Sequence, residues 1–300
     1  MKGYIHAVPN FSEGRREEVI NEIIGVFKGK SGIKLIDFYP DKDFNRTVVE
    51  VIGKPEPLAD ALVNMAGKAV ELIDMETQTG AHPRIGAIDT IPIFPLLDME
   101  LEECRLLAEK IGERVFERLE LPVYFSGVNA RSEKRKEIGF IRKGQYEGLK
   151  EVVHLAERAP DIGPKSLHPT AGAVIISAGT EPLVAYNVVL NTEDLEIGKK
   201  IAKAVRGPSG GFTPVRAVAL TFSEENKVAV SMNMFDCKQT PIYRVFELIK
   251  IEAAAYGVNI AYSELVGALS QRYLLNSLAF FLQLRGFKEE QVVENNLIGL

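Results

Sequence analysis

Residues 80–95 read G-A-H-P-R-I-G-A-I-D-T-I-P-I-F-P and join a polar, glycine-flanked loop directly to a strongly apolar strand. Pro83 disfavours helical backbone at His82, since the proline ring clashes with the preceding residue in the α region. The imidazole is therefore expected on an extended loop at a sheet edge, where functional groups are often mounted. Because the ordinary pKa of histidine lies near neutral pH, the loop is a candidate for acid–base chemistry, with a plain surface role as the alternative.

The segments around this strand predict an α/β (α+β) fold of the split βαβ type. Apolar residues at helical spacing alternate with short β-branched runs. We expect strands at residues 4–9, 33–38, 47–52 and 88–94, and helices at residues 15–28 and 55–73. The order β-α-β-β-α-β is that of a ferredoxin-like unit.

The second half of the chain predicts another unit of the same kind. A helix at residues 99–119 and a strand at 123–126 lead to P-D-I-G-P-K-S-L-H-P-T-A-G at 160–172, whose prolines and glycines are typical of a linker. We therefore expect one subdomain at residues 1–171 and a second at 172–300. Strands at 173–177 and 183–190 are expected to form a hairpin, and from residue 183 the order is again β-α-β-β-α-β.

Several predicted strands have one apolar face and one mixed face, because alternate residues of a strand share a face. Ser231 and Asn233 lie opposite the apolar residues of the strand at 227–235, and Arg46 and Glu50 share the mixed face of another strand. Such faces either meet solvent or enclose a ligand between two sheets, since buried polar side chains need partners. The pattern leaves both possibilities open.

Composition and charge describe a folded protein of 300 residues, 46% of them hydrophobic and 26% charged. The net charge of -5 argues against nucleic acid as a partner, because phosphate binding needs a basic face. The N-terminus has no long apolar targeting region, and the apolar stretch at 273–284 is too short and too polar to span a bilayer. Two cysteines without metal-type spacing suit a reducing compartment. We expect a soluble, cytoplasmic protein with no membrane partner.

Sequence signatures of several common chemistries are missing from the chain. It has no P-loop, no G-x-G-x-x-G, no C-x-x-C and no H-E-x-x-H. A metal site built on His82 and Asp89 would need further ligands, and the other histidines lie far apart in the sequence. We therefore expect no metal cofactor.

Six segments in order along the chain carry a family resemblance. They read V-P-N-F-S-E-G-R (8–15), N-R-T-V (45–48), L-I-D-M with G-A-H-P-R-I-G-A-I-D (72–89), P-D-I-G-P (160–164), S-G-G-F (209–212) and S-E-L-V-G (263–267). Together they resemble the formiminotransferase family, and the first and third are quite specific. The resemblance implies two α/β subdomains whose sheets enclose a folate-binding tunnel.

The resemblance also implies an activity and its residues. The family transfers a formimino group from N-formimino-L-glutamate to N5 of tetrahydrofolate, in histidine degradation and one-carbon metabolism. Its G-x-H-P-R histidine corresponds to His82, expected to act as general base. Arg46 and Arg84 are candidates for binding substrate carboxylates, because guanidinium matches carboxylate bidentately, with a structural salt bridge as the alternative role. Asp37 is a further candidate at the substrate site, orienting a neighbouring group.

The loop at residues 163–172 matches a folate-binding segment of the family, and its alternative role is that of a rigid linker. Tetrahydrofolate is the expected co-substrate. Its contacts are expected from Gly163, Pro164, Lys165, Ser166, Leu167, His168 and Gly172. The family implies a homodimer. Members are often fused to a cyclodeaminase domain, for which this chain leaves no room, so we expect that activity to be absent or on another polypeptide.

Two departures from the family pattern keep alternatives open. Vertebrate-type members carry aspartate where this chain has Tyr39 and glutamate where it has Ala81. A reshaped site would favour formyl or other one-carbon transfer with folate. A non-catalytic folate-binding module is a third possibility, since a fold does not determine a function.

Overall fold

The computed structural model describes residues 3–222 and 225–297 of the chain. The chain divides into two compact units, Met1–Pro182 and Leu183–Leu300. Within the described residues there are eight α-helices and eleven β-strands, which confirms the expected mixed α/β class.

The first unit contains seven strands in one sheet, together with five helices. The strands are β1 (Ile5–Ala7), β2 (Asn10–Phe11), β3 (Ile33–Asp41), β4 (Arg46–Gly53), β5 (Ile88–Pro95), β6 (Val123–Gly127) and β7 (Val174–Ala178). The helices are α1 (Glu17–Gly25), α2 (Pro55–Leu72), α3 (Leu101–Leu119), α4 (Ile138–Ile141) and α5 (Gln145–Val152), with a 3₁₀ turn at Glu133–Lys136.

Strands β1 and β2 act as one strand interrupted at Pro9, because both pair antiparallel with β4 on one side and β5 on the other. Strand β3 pairs antiparallel with β4 at the outer edge. The four-strand core of this sheet therefore has the order expected for β-α-β-β-α-β connectivity. Beyond β5 the sheet continues with β7 and then β6, both in parallel pairing.

Helices α1, α2 and α3 cover one face of this sheet and enclose its main core. On α2, Leu58, Leu62 and Ala66 recur at helical spacing and are fully buried, as the sequence pattern predicts. From β4, Val49 and Val51 enter the same core. Arg46 and Glu50 consequently lie on the opposite face of the sheet.

The second unit is a smaller four-stranded antiparallel sheet with helices. Its strands are β8 (Val184–Leu190), β9 (Val215–Phe222), β10 (Lys227–Met234) and β11 (Ile260–Val266), in the spatial order β11-β8-β10-β9. Its helices are α6 (Leu195–Val205), α7 (Ile242–Ala255) and α8 (Gln271–Phe281), with 3₁₀ turns at Gly207–Ser209, Glu289–Gln291 and Val293–Leu297. Connectivity and strand order are those of a ferredoxin-like unit, as expected.

The predicted hairpin between strands at 173–177 and 183–190 is wrong. Strand β7 pairs in parallel with β5 and β6 inside the first sheet, whereas β8 belongs to the second sheet. The physical reason is that β7 is apolar on both faces, and such a strand gains more from the middle of a parallel sheet than from a two-stranded hairpin. The division after Pro182 accordingly lies later than the boundary expected at residues 171 and 172.

The mixed strand faces follow the sequence pattern. In β10, Val230, Met232 and Met234 are buried in the core of the second unit, while Asn233 is exposed. A ligand tunnel stays a prediction. None of the helices in the described part of the chain is both long and apolar enough to cross a membrane.

Candidate active site

Three of the sequence motifs meet at Arg46, the first residue of β4. Its Nη1 donates to Nε2 of His82 at 3.0 Å and to Oδ1 of Asn10 at 3.4 Å. Asn10 comes from V-P-N-F-S-E-G, Arg46 from N-R-T-V and His82 from G-A-H-P-R. The fold therefore joins side chains that are distant in sequence into one polar cluster.

The loop that carries His82 is fixed by Asn45. The Oδ1 atom of Asn45 accepts the N–H of Gly14 at 2.9 Å, and its Nδ2 donates to the carbonyl of Thr79 at 2.7 Å. Asn45 has φ +49°, in the left-handed region that asparagine tolerates better than most residues. At Gly80, a Cβ atom would lie 2.4 Å from the carbonyl oxygen of Phe44, so only glycine lets the loop pass this close.

The far end of the same loop is bound to the predicted folate loop. Gly86 and Gly172 form an isolated β-bridge, and the N–H of Ala87 donates to the carbonyl of Ala171 at 2.9 Å. The hydroxyl of Ser12 donates to the carbonyl of Gly86 at 2.7 Å. The histidine loop, the residue 163–172 loop and the first motif are therefore parts of one framework.

His82 is partly buried and surrounded by positive charge. Burial and the charges of Arg46, Arg142 and Arg84 lower its pKa to about 3. The imidazole is thus neutral at physiological pH. Because a guanidinium can only donate hydrogen bonds, Nε2 is the acceptor and the ring proton is on Nδ1.

Arg46 is a half-buried cation that no carboxylate neutralises by hydrogen bonding in the described part of the chain. Its Nε–H is buried and has no hydrogen-bond partner there. Burial and the nearby charge of Arg142 lower its pKa from the usual arginine value. Arg142 by contrast is paired with the buried carboxylate of Asp89, which also accepts the N–H of Ile85 at 2.8 Å.

Arg84 is buried, and all its guanidinium nitrogens are already engaged. Its Nε donates to Oε1 of Gln78 at 2.7 Å, and its Nη atoms bond to Gln145, Glu147 and the carbonyl of Gln78. Of the two roles open from the sequence, these contacts favour a structural salt bridge that fixes the base of the histidine loop to α5.

Asp37 lies on β3 and is exposed. Its carboxylate accepts the N–H of Phe38 at 2.8 Å and the hydroxyl of Tyr39. The hydroxyl of Tyr39 is neutral at physiological pH, since the ordinary pKa of tyrosine is about 10 and burial, Asp37 and Glu50 raise the pKa further. No hydrogen bond joins Asp37 to His82 or Arg46 within the residues that the structure describes.

The predicted folate loop lines a cavity of about 380 Å³ in the first unit. The loop contributes Lys165, Ser166, Leu167, His168 and Pro169, and the neighbouring wall is formed by Tyr146, Lys150, Val153 and His154. Pro164 is exposed beside it. Gly163 has φ +105°, and a Cβ there would lie 2.8 Å from the ring of Phe116, so the loop begins with a turn that requires glycine.

His168 stabilises the end of this loop. Its Nδ1 accepts the N–H groups of Ala171 and Thr170 at 3.1 and 3.3 Å, and its backbone pairs with Gly172. Burial lowers its pKa, which keeps Nδ1 available as an acceptor. Gly172 has φ +73°, and a Cβ there would lie 2.2 Å from the carbonyl oxygen of Ile85.

One polar pair near this site was missed by the sequence reasoning. Nε2 of His6 is hydrogen-bonded to the carboxylate of Glu50, and the two residues are only 8% and 7% exposed. Glu50 shares its strand face with Arg46, which was visible in the sequence. Its pairing with His6 was not visible, because 44 residues separate the two.

Metal ligands do not cluster in the described residues, 3–222 and 225–297. No group of three or more histidine, cysteine, aspartate or glutamate side chains that could hold a metal ion occurs among them.

Comparisons with known proteins match both units of the chain. The model of the formiminotransferase domain, N-terminal subdomain, matches residues 4–179, and that of the formiminotransferase domain matches residues 185–299. The glutamate formimidoyltransferase of Thermoplasma acidophilum is 41% identical over 295 residues, covering 98% of this chain and 97% of that protein.

Two further relatives agree with these matches. The glutamate formimidoyltransferase of Streptococcus pyogenes serotype M1 is 35% identical over 300 residues, the full length of both chains. The formimidoyltransferase-cyclodeaminase of Gallus gallus is 35% identical over 288 residues, covering 94% of this chain and 53% of that protein. The chain therefore belongs to the formiminotransferase family.

Proposed function

We propose that this protein transfers the formimino group of N-formimino-L-glutamate to N5 of tetrahydrofolate, with His82 as the general base. Full-length similarity to two glutamate formimidoyltransferases supports the reaction. The observation that carries the residue assignment is the neutral imidazole of His82 beside Arg46, a cation without a carboxylate partner in the described chain.

The reaction needs a group that accepts a proton and later returns it. As N5 of the folate attacks the formimino carbon, the amine becomes acidic and must lose its proton. A neutral imidazole accepts that proton and then donates it to the departing glutamate nitrogen, whose bond to the formimino carbon breaks. Both substrates are consumed as one bond forms and one breaks, and His82 returns to its starting state.

In the unliganded protein, His82 is a poor base for two reasons. The lone pair of Nε2 accepts the Arg46 hydrogen bond, and a pKa of about 3 is far below the value that suits proton transfer near neutral pH. A substrate carboxylate that binds Arg46 would correct both, because it draws the guanidinium away from Nε2 and cancels part of its charge. In our proposal, substrate binding therefore activates the base.

The remaining predicted residues take supporting roles. Arg84, saturated by Gln78, Gln145 and Glu147, anchors the histidine loop rather than binding substrate. The cavity beside the residue 163–172 loop has Lys165 on its wall, which suits an anionic part of the folate, whereas Lys150 on the same cavity is already paired with Glu76. Cytoplasmic location and a homodimeric state belong to the same proposal.

Formyl transfer is the second candidate function, and Tyr39 is the observation that favours it. The formimino group is basic and carries positive charge when protonated, whereas a formyl group is neutral. Tyr39 is an uncharged hydroxyl at physiological pH, so its side chain offers no negative charge to a formimino cation. The cations around His82 also suit a neutral group better than a charged one.

A comparison of the two donors tests the proposal. Steady-state rates with tetrahydrofolate are measured on N-formimino-L-glutamate and N-formyl-L-glutamate. A kcat/KM at least ten times higher for the formimino donor is expected, whereas the reverse order would replace the proposed function with formyl transfer. In His82→Gln, kcat should fall by about 10²–10⁴, the usual contribution of a general base. An unchanged thermal shift with folate would show that the variant is folded and binds it.

A further inference from the structure

Arg142 is a second cation at the candidate site, and the proposed mechanism gives it no task. It directly follows α4, its side chain is 17% exposed, and its Nε–H is buried without a hydrogen-bond partner among the described residues. Besides burial, which is the largest cause, the charge of Arg142 lowers the pKa of both His82 and Arg46. Because the interaction of two charges weakens with distance, Arg142 lies near both of these side chains.

A β-bulge in β5 brings Arg142 to this place. Ile88 and Thr90 pair with two adjacent residues of β2, so Asp89 is an extra residue between them. Bulges change the direction of a side chain and are frequent beside functional sites. Here the carboxylate of Asp89, only 1% exposed, accepts a hydrogen bond from Nη2 of Arg142.

The same carboxylate also fixes the histidine loop. Its Oδ1 accepts the N–H of Ile85, near the end of that loop, at 2.8 Å. Asn10, which pairs with Thr90 at the bulge, is also the residue that accepts a hydrogen bond from Arg46 at 3.4 Å. One buried carboxylate therefore holds a second guanidinium at the loop and beside the strands that carry the Arg46 contacts.

This cluster has more positive charge than its carboxylates neutralise. Asp89 is the one carboxylate that hydrogen-bonds to Arg46 or Arg142 in the described chain, and Asp41 acts on Arg46 through its charge without such a bond. The Nε–H groups of both arginines are buried and unpartnered among these residues, which is unfavourable unless a ligand accepts them. A carboxylate has the negative charge and the two acceptor oxygens that match such donors.

The position of His82 decides which carboxylate of the donor fits. In the proposed reaction the imidazole returns a proton to the departing nitrogen, so this nitrogen must come within hydrogen-bond distance of Nε2. In N-formimino-L-glutamate, the nitrogen is bonded to the α-carbon, which also carries the α-carboxylate, whereas two methylene groups separate the γ-carboxylate from it. Nη1 of Arg46 lies 3.0 Å from Nε2. The α-carboxylate is therefore the nearer of the two to the arginines when the nitrogen is at His82.

We propose that Arg142, held by Asp89, is a specificity-determining residue that binds the α-carboxylate of the donor together with Arg46. The inference rests on the proposed function, because the departing nitrogen of that reaction fixes which carboxylate is near. The donors selected at this site are N-formimino derivatives of α-amino acids, and the feature that selects them is the α-carboxylate rather than the γ-carboxylate.

The direct test is calorimetric binding of two probes that each keep one carboxylate. N-acetyl-L-norvaline has the α-carboxylate alone, and 4-acetamidobutanoate has only the carboxylate that corresponds to γ. We expect the wild type to bind the norvaline derivative at least tenfold more tightly, and Arg142→Gln to lose this preference. Lys143→Gln is the matched control, because it removes an exposed positive charge from the next residue, and its preference should equal that of the wild type.

A second variant keeps the test valid if Arg142→Gln does not fold. Arg142→Lys retains a positive charge for Asp89 but lacks the guanidinium fork and its Nε–H, so it should bind N-acetyl-L-norvaline more weakly than the wild type and 4-acetamidobutanoate equally well. Equal binding of both probes by the wild type would overturn the proposal. So would wild-type affinity for the norvaline derivative in Arg142→Lys.

Kinetics then test the role in donor selection. With tetrahydrofolate as acceptor, kcat/KM of the wild type should be at least tenfold higher for N-formimino-L-norvaline than for 4-formiminoaminobutanoate. Arg142→Gln should raise KM for the norvaline donor and leave KM for the butanoate donor unchanged, whereas equal losses on both donors would show a merely structural role and overturn the proposal. The binding test does not need transfer activity, so a protein that prefers the α-carboxylate probe through Arg142 but transfers nothing would refute the proposed function and not this site.

Discussion

The contact between Arg46 and His82 makes a prediction that can be worked out from the structure. Arg46→Gln removes a full positive charge from a side chain that donates to Nε2 of His82 at 3.0 Å, while glutamine keeps a hydrogen-bond donor in the same region. Because burial and the charge of Arg46 are the two largest causes that lower the pKa of His82, the substitution should raise that pKa. Burial and the other two arginines remain, so the pKa should stay below the ordinary histidine value.

The size of the shift follows from Coulomb's law. Two unit charges about 4 Å apart interact by about 4 kcal/mol at an effective dielectric constant of about 20. One pKa unit corresponds to about 1.4 kcal/mol, so complete removal of an unscreened charge would raise the pKa by about three units. His82 is only partly buried, and solvent and salt reduce the effect. We therefore expect a rise of about one unit, from about 3 to about 4.

The assay is NMR titration of the histidine side chains. The chain has only four histidines, and the signal of His82 is assigned by its loss in His82→Gln. At pH 7, ¹⁵N shifts should place the proton of His82 on Nδ1 in the wild type, with a changed Nε2 shift in Arg46→Gln. Lys68→Gln is the control, because it removes a charge that is paired with Glu22 and Glu71 on the surface of α2. A His82 pKa that is unchanged in Arg46→Gln, or a wild-type pKa near 6.5, would show that Arg46 does not lower the pKa of His82.

Three further predictions concern the framework around the histidine. Asn45→Ala removes one buried and one partly buried side-chain hydrogen bond, and should lower the free energy of unfolding by about 1–3 kcal/mol in urea titration. Because the loop loosens, kcat should also fall, and a variant as stable as the wild type would contradict the role of Asn45 in fixing the loop. Arg84→Gln should lower the free energy of unfolding by about 1–3 kcal/mol, while KM for the formimino donor changes less than in Arg46→Gln. A KM change larger than that in Arg46→Gln would instead indicate that Arg84 binds the substrate. The folded-state pKa of His82 lies below its unfolded value, so between about pH 6.5 and 3 the unfolded chain binds more protons and the free energy of unfolding should fall as the pH falls. In His82→Gln, the free energy of unfolding should depend less steeply on pH over that range. An equally steep dependence would contradict the low pKa of His82.

Much of the fold could be predicted from local patterns. The helical spacing on α2 and the alternation on β10 each reflect burial on one side, and both were recovered in the structure. Strand β7 shows where this fails. Its apolar residues reveal that it is buried but not which strand it pairs with, and a parallel partner lies far away in sequence.

The residues of the candidate site could be predicted from sequence motifs, but the contacts that they make could not. His82 and Arg46 stand out as residue types in specific motifs, and the fold brings them within hydrogen-bond distance. The saturation of Arg84 depends on Glu147, 63 residues away, and no spacing rule predicts such a pair. The low pKa of His82 has the same origin, because it results from burial and from charges that only the tertiary structure assembles.

In the proposed reaction, His82 accepts the proton when a formimino group moves from glutamate to folate. The most direct measurement is a single-turnover reaction of the wild type and of His82→Gln with saturating N-formimino-L-glutamate and tetrahydrofolate, quantifying 5-formiminotetrahydrofolate by mass spectrometry. We expect rapid product formation by the wild type and a rate at least 100-fold lower in the variant, with folate binding retained. Product formation at the wild-type rate by His82→Gln would contradict this role of His82.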